Sequence, residues 1–97
     1  MEGANMLYFI VYDVADDDVR RRVAELLKDS GGTRVQYSAF TIELDSPHQL
    51  DILLQRIREV IGASKARVVA IPVCEADLRR AVTIIHRYEL REEELLL

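Results

Sequence analysis

The stretch Tyr8-Phe9-Ile10-Val11-Tyr12-Asp13-Val14 decides the fold of this chain, because β-branched and aromatic residues run unbroken up to a carboxylate. Such a run reads as a buried strand, placed from Met6 to Asp13. Asp16-Asp17-Asp18 and Arg20-Arg21-Arg22 follow at once and open a helix expected from Asp16 to Lys28. Asp16 is its N-cap, and Asp17 and Asp18 suit the positive end of the helix dipole. Val19, Val23, Leu26 and Leu27 fall on one helical face, and Ser30-Gly31-Gly32 ends the helix. An acid at a strand tip, beside arginines in the first turns of a helix, brings a metal-ligand type and a phosphate-ligand type together. The pairing points to phosphodiester chemistry or binding.

Thr33 to Leu44 also reads as strand, but its apolar alternation changes parity. Val35 and Tyr37 share one face, whereas Phe40, Ile42 and Leu44 share the other. A period of two cannot switch face without a break, so a tight turn or bulge is placed near Gln36 to Ala39. Ser46-Pro47 starts a second helix. Leu50, Leu53, Leu54, Ile57, Val60 and Ile61 form its buried stripe, and Gly62 is its stop. Arg67 to Val73 is the next strand, with Pro72 marking its end or a sheet edge. Glu75 to Arg80 suits one or two helical turns. Val82-Thr83-Ile84-Ile85 is a short β-type run. The order is β-α-β-β-α-β with an extra C-terminal strand, an α+β, ferredoxin-like arrangement with two helices on one face of an antiparallel sheet. The other face would be bare in a single chain, which favours a twofold homodimer.

With 97 residues and 49% hydrophobic content, one domain with a real core is expected over residues 1–97. Residues 1–5 read as a flexible start and 88–97 as a charged tail. No window of about 18 apolar residues occurs, so no membrane span is expected, and Met1 to Asn5 lacks signal-peptide features. Cys74 is the only cysteine, which excludes an internal disulfide and a Cys-based zinc site. It is expected to be a small buried apolar residue in a cytoplasmic protein. The net charge of −4 argues against nucleic acid when taken alone. Glu89, Glu92, Glu93 and Glu94 concentrate the acid in the tail, however, and the chain through Tyr88 is nearly neutral. Lys28 and Lys65 are the only lysines. The other basic residues are arginines, which suit bidentate phosphate contacts and equally suit a GC-rich genome.

The segment from Met6 through Asp13, with Asp16-Asp17, Arg20, Arg22-Val23-Ala24, Leu26-Leu27 and then Arg34-Val35-Gln36-Tyr37-Ser38-Ala39-Phe40, resembles the CRISPR-associated protein 2 family. The likeness extends more loosely through Arg67-Val68-Val69 and Ile71-Pro72-Val73-Cys74. It implies a homodimer of ferredoxin-like protomers in which Asp13 from each chain faces a shared Mg²⁺, with Mn²⁺ as a substitute. It implies catalytic positions at Asp13, Tyr12, Arg20, Arg22, Arg34 and Phe40, and a final strand near Val82 to Ile85 that pairs across the dimer. It also implies either metal-dependent cleavage of single-stranded RNA or double-stranded DNA, or a non-catalytic scaffold that holds DNA against the CRISPR integrase, CRISPR-associated protein 1. Ala39 stands where Val is commoner.

Read without the resemblance, Asp13 could instead accept backbone N–H groups in the loop after the strand. Arg20, Arg21 and Arg22 are spread by about 100° per residue around the helix, so they cannot all meet one ligand. Arg20 and Arg34 are the better phosphate and nucleic-acid contacts, and Arg22 could pair with a nearby acid. Phe40 and Tyr37 could stack on bases, although strand aromatics are more often core. His48 and His86 are read as incidental. Neither a Gly-rich phosphate loop nor a nucleophilic triad is evident. A phosphoacceptor domain would need a longer chain, and a small-ligand regulatory domain of the same topology would lack salt-dependent nucleic-acid binding.

Overall fold

A computed structural model describes residues 5–87; the expected charged tail and nearly all of the flexible start lie outside them. The element order is β1 (Met6–Val14), α1 (Asp17–Asp29), β2 (Thr33–Gln36), β3 (Ala39–Leu44), α2 (Pro47–Ile61), β4 (Ala66–Val73) and a short α3 (Glu75–Arg79). The strands form one sheet in the order β2-β3-β1-β4, and every neighbouring pair is antiparallel. The most apolar strand, β1, is central and hydrogen-bonds on both sides. β4 lies at an edge, where Pro72 is tolerated because part of an edge strand's N–H row has no partner.

The even-numbered residues of β1, Tyr8, Ile10, Tyr12 and Val14, face the helices. They form one core with Val19, Val23, Ala24 and Leu27 of α1, Phe40 and Ile42 of β3, and Leu53 and Ile57 of α2. Burial of each large apolar side chain here contributes roughly 1.5–3 kcal/mol. Both helix stripes are seated as the periodicity predicts, with Leu26, Leu50, Leu54, Val60 and Ile61 half-buried at their margins. The caps also form. Asp16 accepts from Val19 N at 3.0 Å, and Ser46 Oγ accepts from Gln49 N at 3.4 Å. The parity switch in the second apolar run is a hairpin. Its register shifts between Arg34 and Gln36, and Tyr37-Ser38 makes the turn. Gly32 is needed for close approach, since a Cβ there would meet Leu27 O at 2.8 Å and the Phe40 ring at 3.2 Å.

Three expectations are corrected. Residues 82–85 form no strand in the single chain, and Val82, Ile84 and Ile85 are exposed. A β-type run becomes a strand only when a neighbour supplies its hydrogen bonds, and no described strand lies beside this one. Cys74 is exposed rather than buried. It caps α3, its Sγ accepting from Asp77 N at 3.3 Å. Tyr37 is not a core aromatic but is 58% exposed, because the turn carries its side chain off the sheet.

The odd-numbered residues of β1 face away from the helices. Opposite them in register, β4 presents Val69 to Val11 and Ile71 to Phe9. Val11, Val69 and Ile71 are 37%, 44% and 43% exposed. This sheet face is apolar and open in the single chain. Among the described residues no helix is long and apolar enough to cross a membrane.

Candidate active site

The end of β1 organises the site. Tyr12 points to the helix side and is buried. Its ring stacks near that of Phe40, with centroids 6.3 Å apart and planes inclined by 25°, and its backbone N donates to Ser38 O at 3.0 Å. The Tyr12 hydroxyl donates to Tyr37 O at 3.5 Å. Burial pushes the phenol above its ordinary value of 10.0, and the neighbouring Arg34 partly offsets that rise through its charge and a hydrogen bond. Tyr12 therefore remains a protonated donor at neutral pH.

Arg34 leaves β2 and reaches the same point. Its Nη2 donates to Tyr37 O at 2.8 Å. Its guanidinium carbon lies over the Tyr37 ring and over the Phe40 ring, 5.5 Å from the centroid in each case. Its Nε is buried and has no hydrogen-bond partner among the described residues. Arg20 arrives from the first turn of α1. Its Nη1 donates to Val14 O at 3.1 Å, which ties the helix start to the end of β1. Its Nη2 pairs with Asp17. The Arg20 guanidinium lies over the Tyr37 ring, 5.4 Å from the centroid. Its pKa is raised, first by the hydrogen bond to Asp17 and then by Tyr37.

The structure thus brings Tyr12, Arg20, Arg34 and Phe40 into one cluster. Phe40 is fully buried and acts as its floor. Arg22 lies on the exposed side of α1. Neighbouring Arg21 pairs with Asp18 at 3.5 Å and with Glu25 at 3.2 Å. Asp17 proves to be an ion-pair partner as well as a dipole complement.

Asp13 stands apart from this cluster. Alternation along β1 sends it to the open sheet face, where it is exposed. It sits in register with Arg67 of β4, so the two side chains start from adjacent points on the same face. A hard, exposed carboxylate suits Mg²⁺, which usually keeps several waters and takes one or two carboxylates. No group of three or more His, Cys, Asp or Glu able to hold a metal occurs among the described residues.

Two features of the site escaped the sequence reading. Tyr37, read as a possible base-stacking or core aromatic, carries both arginines, and the Arg34-to-Tyr37 spacing across a tight turn was the signal for it. Arg67 faces Asp13 only because of the β1–β4 register, which no local pattern encodes.

The sheet order and the residues gathered at the tip of β1 define a small α+β protein with one strand-end carboxylate and a neighbouring arginine pair. Residues 6–81 match the family described as CRISPR associated protein Cas2, and the chain belongs to that family. It is 40% identical over 79 residues to a protein named CRISPR-associated endoribonuclease Cas2 from Desulforudis audaxviator, covering 81% of this chain and 74% of the relative. It is 39% identical over 79 residues to one of the same name from Korarchaeum cryptofilum, covering 81% and 84%. Among solved structures it resembles Streptococcus pyogenes Cas2, with a TM-score of 0.70, 25% identity and coverage of 81% of this chain and 99% of that one. It also resembles a hypothetical protein, TT1823, from Thermus thermophilus, with a TM-score of 0.68, 30% identity and coverage of 90% and 98%.

Proposed function

We propose that the chain works as a ferredoxin-like homodimer in CRISPR adaptation, binding nucleic acid and cleaving phosphodiester bonds of single-stranded RNA with Mg²⁺ in the cytoplasm. The observation that carries this reading is the placement of Asp13, exposed at the end of β1 on a sheet face that is apolar and open. A second copy packed on that face would cover Val11, Val69 and Ile71 and bring a second Asp13 to the first. The two carboxylates would hold Mg²⁺, or Mn²⁺ in its place. When bound, that ion supplies an activated water and charge neutralisation at the scissile phosphate. Arg20 and Arg34, grouped across the strand end from Asp13, would bind phosphates further along the nucleic acid, and Tyr12 keeps a proton available at its hydroxyl. The relatives' name, endoribonuclease, supports RNA as the substrate.

The test is cleavage of single-stranded RNA by the purified full chain with Mg²⁺, with Mn²⁺ and with EDTA, beside Asp13→Asn prepared identically. Cleavage that needs the metal and falls at least about 100-fold in the variant supports the reading, since losing a metal ligand costs at least as much as losing a group that only supports one. An unchanged rate in Asp13→Asn removes Asp13 from the chemistry.

One observation favours a second reading. The arginine cluster around Tyr37 is assembled without any contribution from Asp13, which suits a dimeric scaffold that bridges the CRISPR integrase and DNA without cutting. Under that reading Asp13→Asn would still support spacer integration, and no RNA cleavage would survive purification to homogeneity.

A further inference from the structure

We infer that Tyr37 is a positioning residue that holds Arg20 and Arg34 as one preorganised cationic pair for adjacent phosphates. The inference rests on the proposed role of those arginines in nucleic-acid binding.

Four contacts converge on this one residue. Its carbonyl accepts from Arg34 Nη2 at 2.8 Å and from the Tyr12 hydroxyl at 3.5 Å. Its ring lies under the guanidinium groups of Arg20 and Arg34, at 5.4 and 5.5 Å. The arginines come from different elements, α1 and β2. Tyr37 is their shared neighbour. The negative face of an aromatic ring attracts a guanidinium, so one exposed ring gathers two positive groups that would otherwise repel. Asp17 offsets only one of them, through Arg20. The cluster therefore keeps a net positive charge beside the exposed ring.

Long arginine side chains lose rotamer freedom when they clamp a phosphate. A ring that already restrains both removes part of that loss before the ligand arrives. The ring reaches both arginines, whereas the hydroxyl adds a hydrogen-bonding hold on Arg20 alone. The backbone carbonyl survives any substitution, so the hairpin turn and the Tyr12 contact are retained when the ring is removed.

The test is binding of a fluorescein-labelled single-stranded RNA to the full chain, by anisotropy with EDTA present, at salt concentrations between about 50 and 200 mM. Each lost phosphate contact on a single strand lowers the log–log salt slope by about 0.7. The double variant Arg20→Gln/Arg34→Gln is expected to flatten the slope by about 1.4. Tyr37→Leu should flatten it in the same direction by at least half as much, Tyr37→Phe, which keeps the ring and loses only the hydroxyl's hold on Arg20, should flatten it by less than Tyr37→Leu does, and adding Tyr37→Leu to the double variant should change it no further. Nuclear magnetic resonance of the free protein gives an independent reading, since ring-current shifts at the Arg20 and Arg34 side chains should vanish in Tyr37→Leu and persist in Tyr37→Phe. A slope unchanged in Tyr37→Leu while the arginine variant loses it overturns the positioning role alone. Weaker binding at constant slope also overturns it and makes the ring a base-stacking surface. An arginine variant that binds as wild type does overturns the phosphate role of the arginines, and the Tyr37 inference with it.

Discussion

Tyr12 and Asp13 are consecutive on β1 and stand on opposite faces of one sheet, and the two surroundings differ in kind. On the Tyr12 side every large side chain has found its neighbours within the chain: Phe40 beneath, Arg34 and Arg20 beside it, and the helices behind. On the Asp13 side the strands present Val11, Val69 and Ile71 to open space, with Arg67 across from the acid. The first surface is a finished, self-supporting cluster. The second is an open apolar face that ends in an exposed carboxylate. The lesson is that a single residue step along a strand can separate a surface satisfied within one chain from one left open by it.

The comparison can be broken most severely on the closed face. Phe40 is fully buried and supports Tyr12 and Arg34 together. Phe40→Ala is expected to cost about 3–5 kcal/mol, read as a lower urea midpoint, and to scatter the arginines. Val69→Ala, a truncation on the open face, should cost the isolated chain well under that. Equal losses at the two positions would mean that the open face is already covered in solution.

The open face is sharpened by charge. Ile71→Glu puts a carboxylate in the middle of the exposed apolar strip, where a face-to-face partner would have to bury it unpaired. The expected result is a shift to half the mass by sedimentation or light scattering, with loss of metal-dependent cleavage but a far-ultraviolet spectrum close to wild type. A wild-type chain that already sediments as a monomer removes the shared-metal reading. A third change acts locally on the link between helix and strand. Asp16→Ala removes the N-cap that orients the first turn of α1 and hence Arg20. Its expected cost is about 1 kcal/mol in the urea midpoint, with a smaller loss of RNA affinity than Arg20→Gln causes.

Most of the scaffold was written in local pattern. The caps at Asp16 and Ser46, both helical stripes and the parity switch before Phe40 depend on neighbours a few residues away, which is why their positions could be read directly. What could not be read depends on register and on partners. Arg67 faces Asp13 because β4 pairs with β1 in one particular alignment. Tyr37 gathers two arginines because a two-residue turn brings β2 and β3 back beside α1. Cys74 looked apolar and buried by composition, yet its thiol ends up capping α3 at the surface. Val82 to Ile85 carried strand propensity, but propensity reports how well a segment fits beside another strand, and one chain gives it none. Asp13 was found easily as a strand-end acid. Which face it occupies follows from alternation, whereas what shares that face with it depends on assembly.

The smallest expected effect is a titration that belongs to the closed face alone. Burial holds the Tyr12 phenol above 10.0, its ordinary value, while the charge of Arg34 pulls the other way. Because the folded pKa exceeds the unfolded one, the folded state binds the proton more tightly. The resulting stability is fully present below pH 10.0 and is lost as pH rises through the folded value. Urea midpoints measured from pH 9 upward should therefore begin to fall near the unfolded tyrosine value, and Tyr12→Phe should show a shallower fall over the same interval. Tyr12→Phe itself should cost about 0.5–1.5 kcal/mol at neutral pH, the ordinary worth of one hydrogen bond, since it removes the hydroxyl that donates to Tyr37 O at 3.5 Å. Asp13→Asn, on the other face, should leave the alkaline limb where it is. A variant at Asp13 that moved that limb would show the two faces to be coupled through the strand, and the division drawn between them would fail.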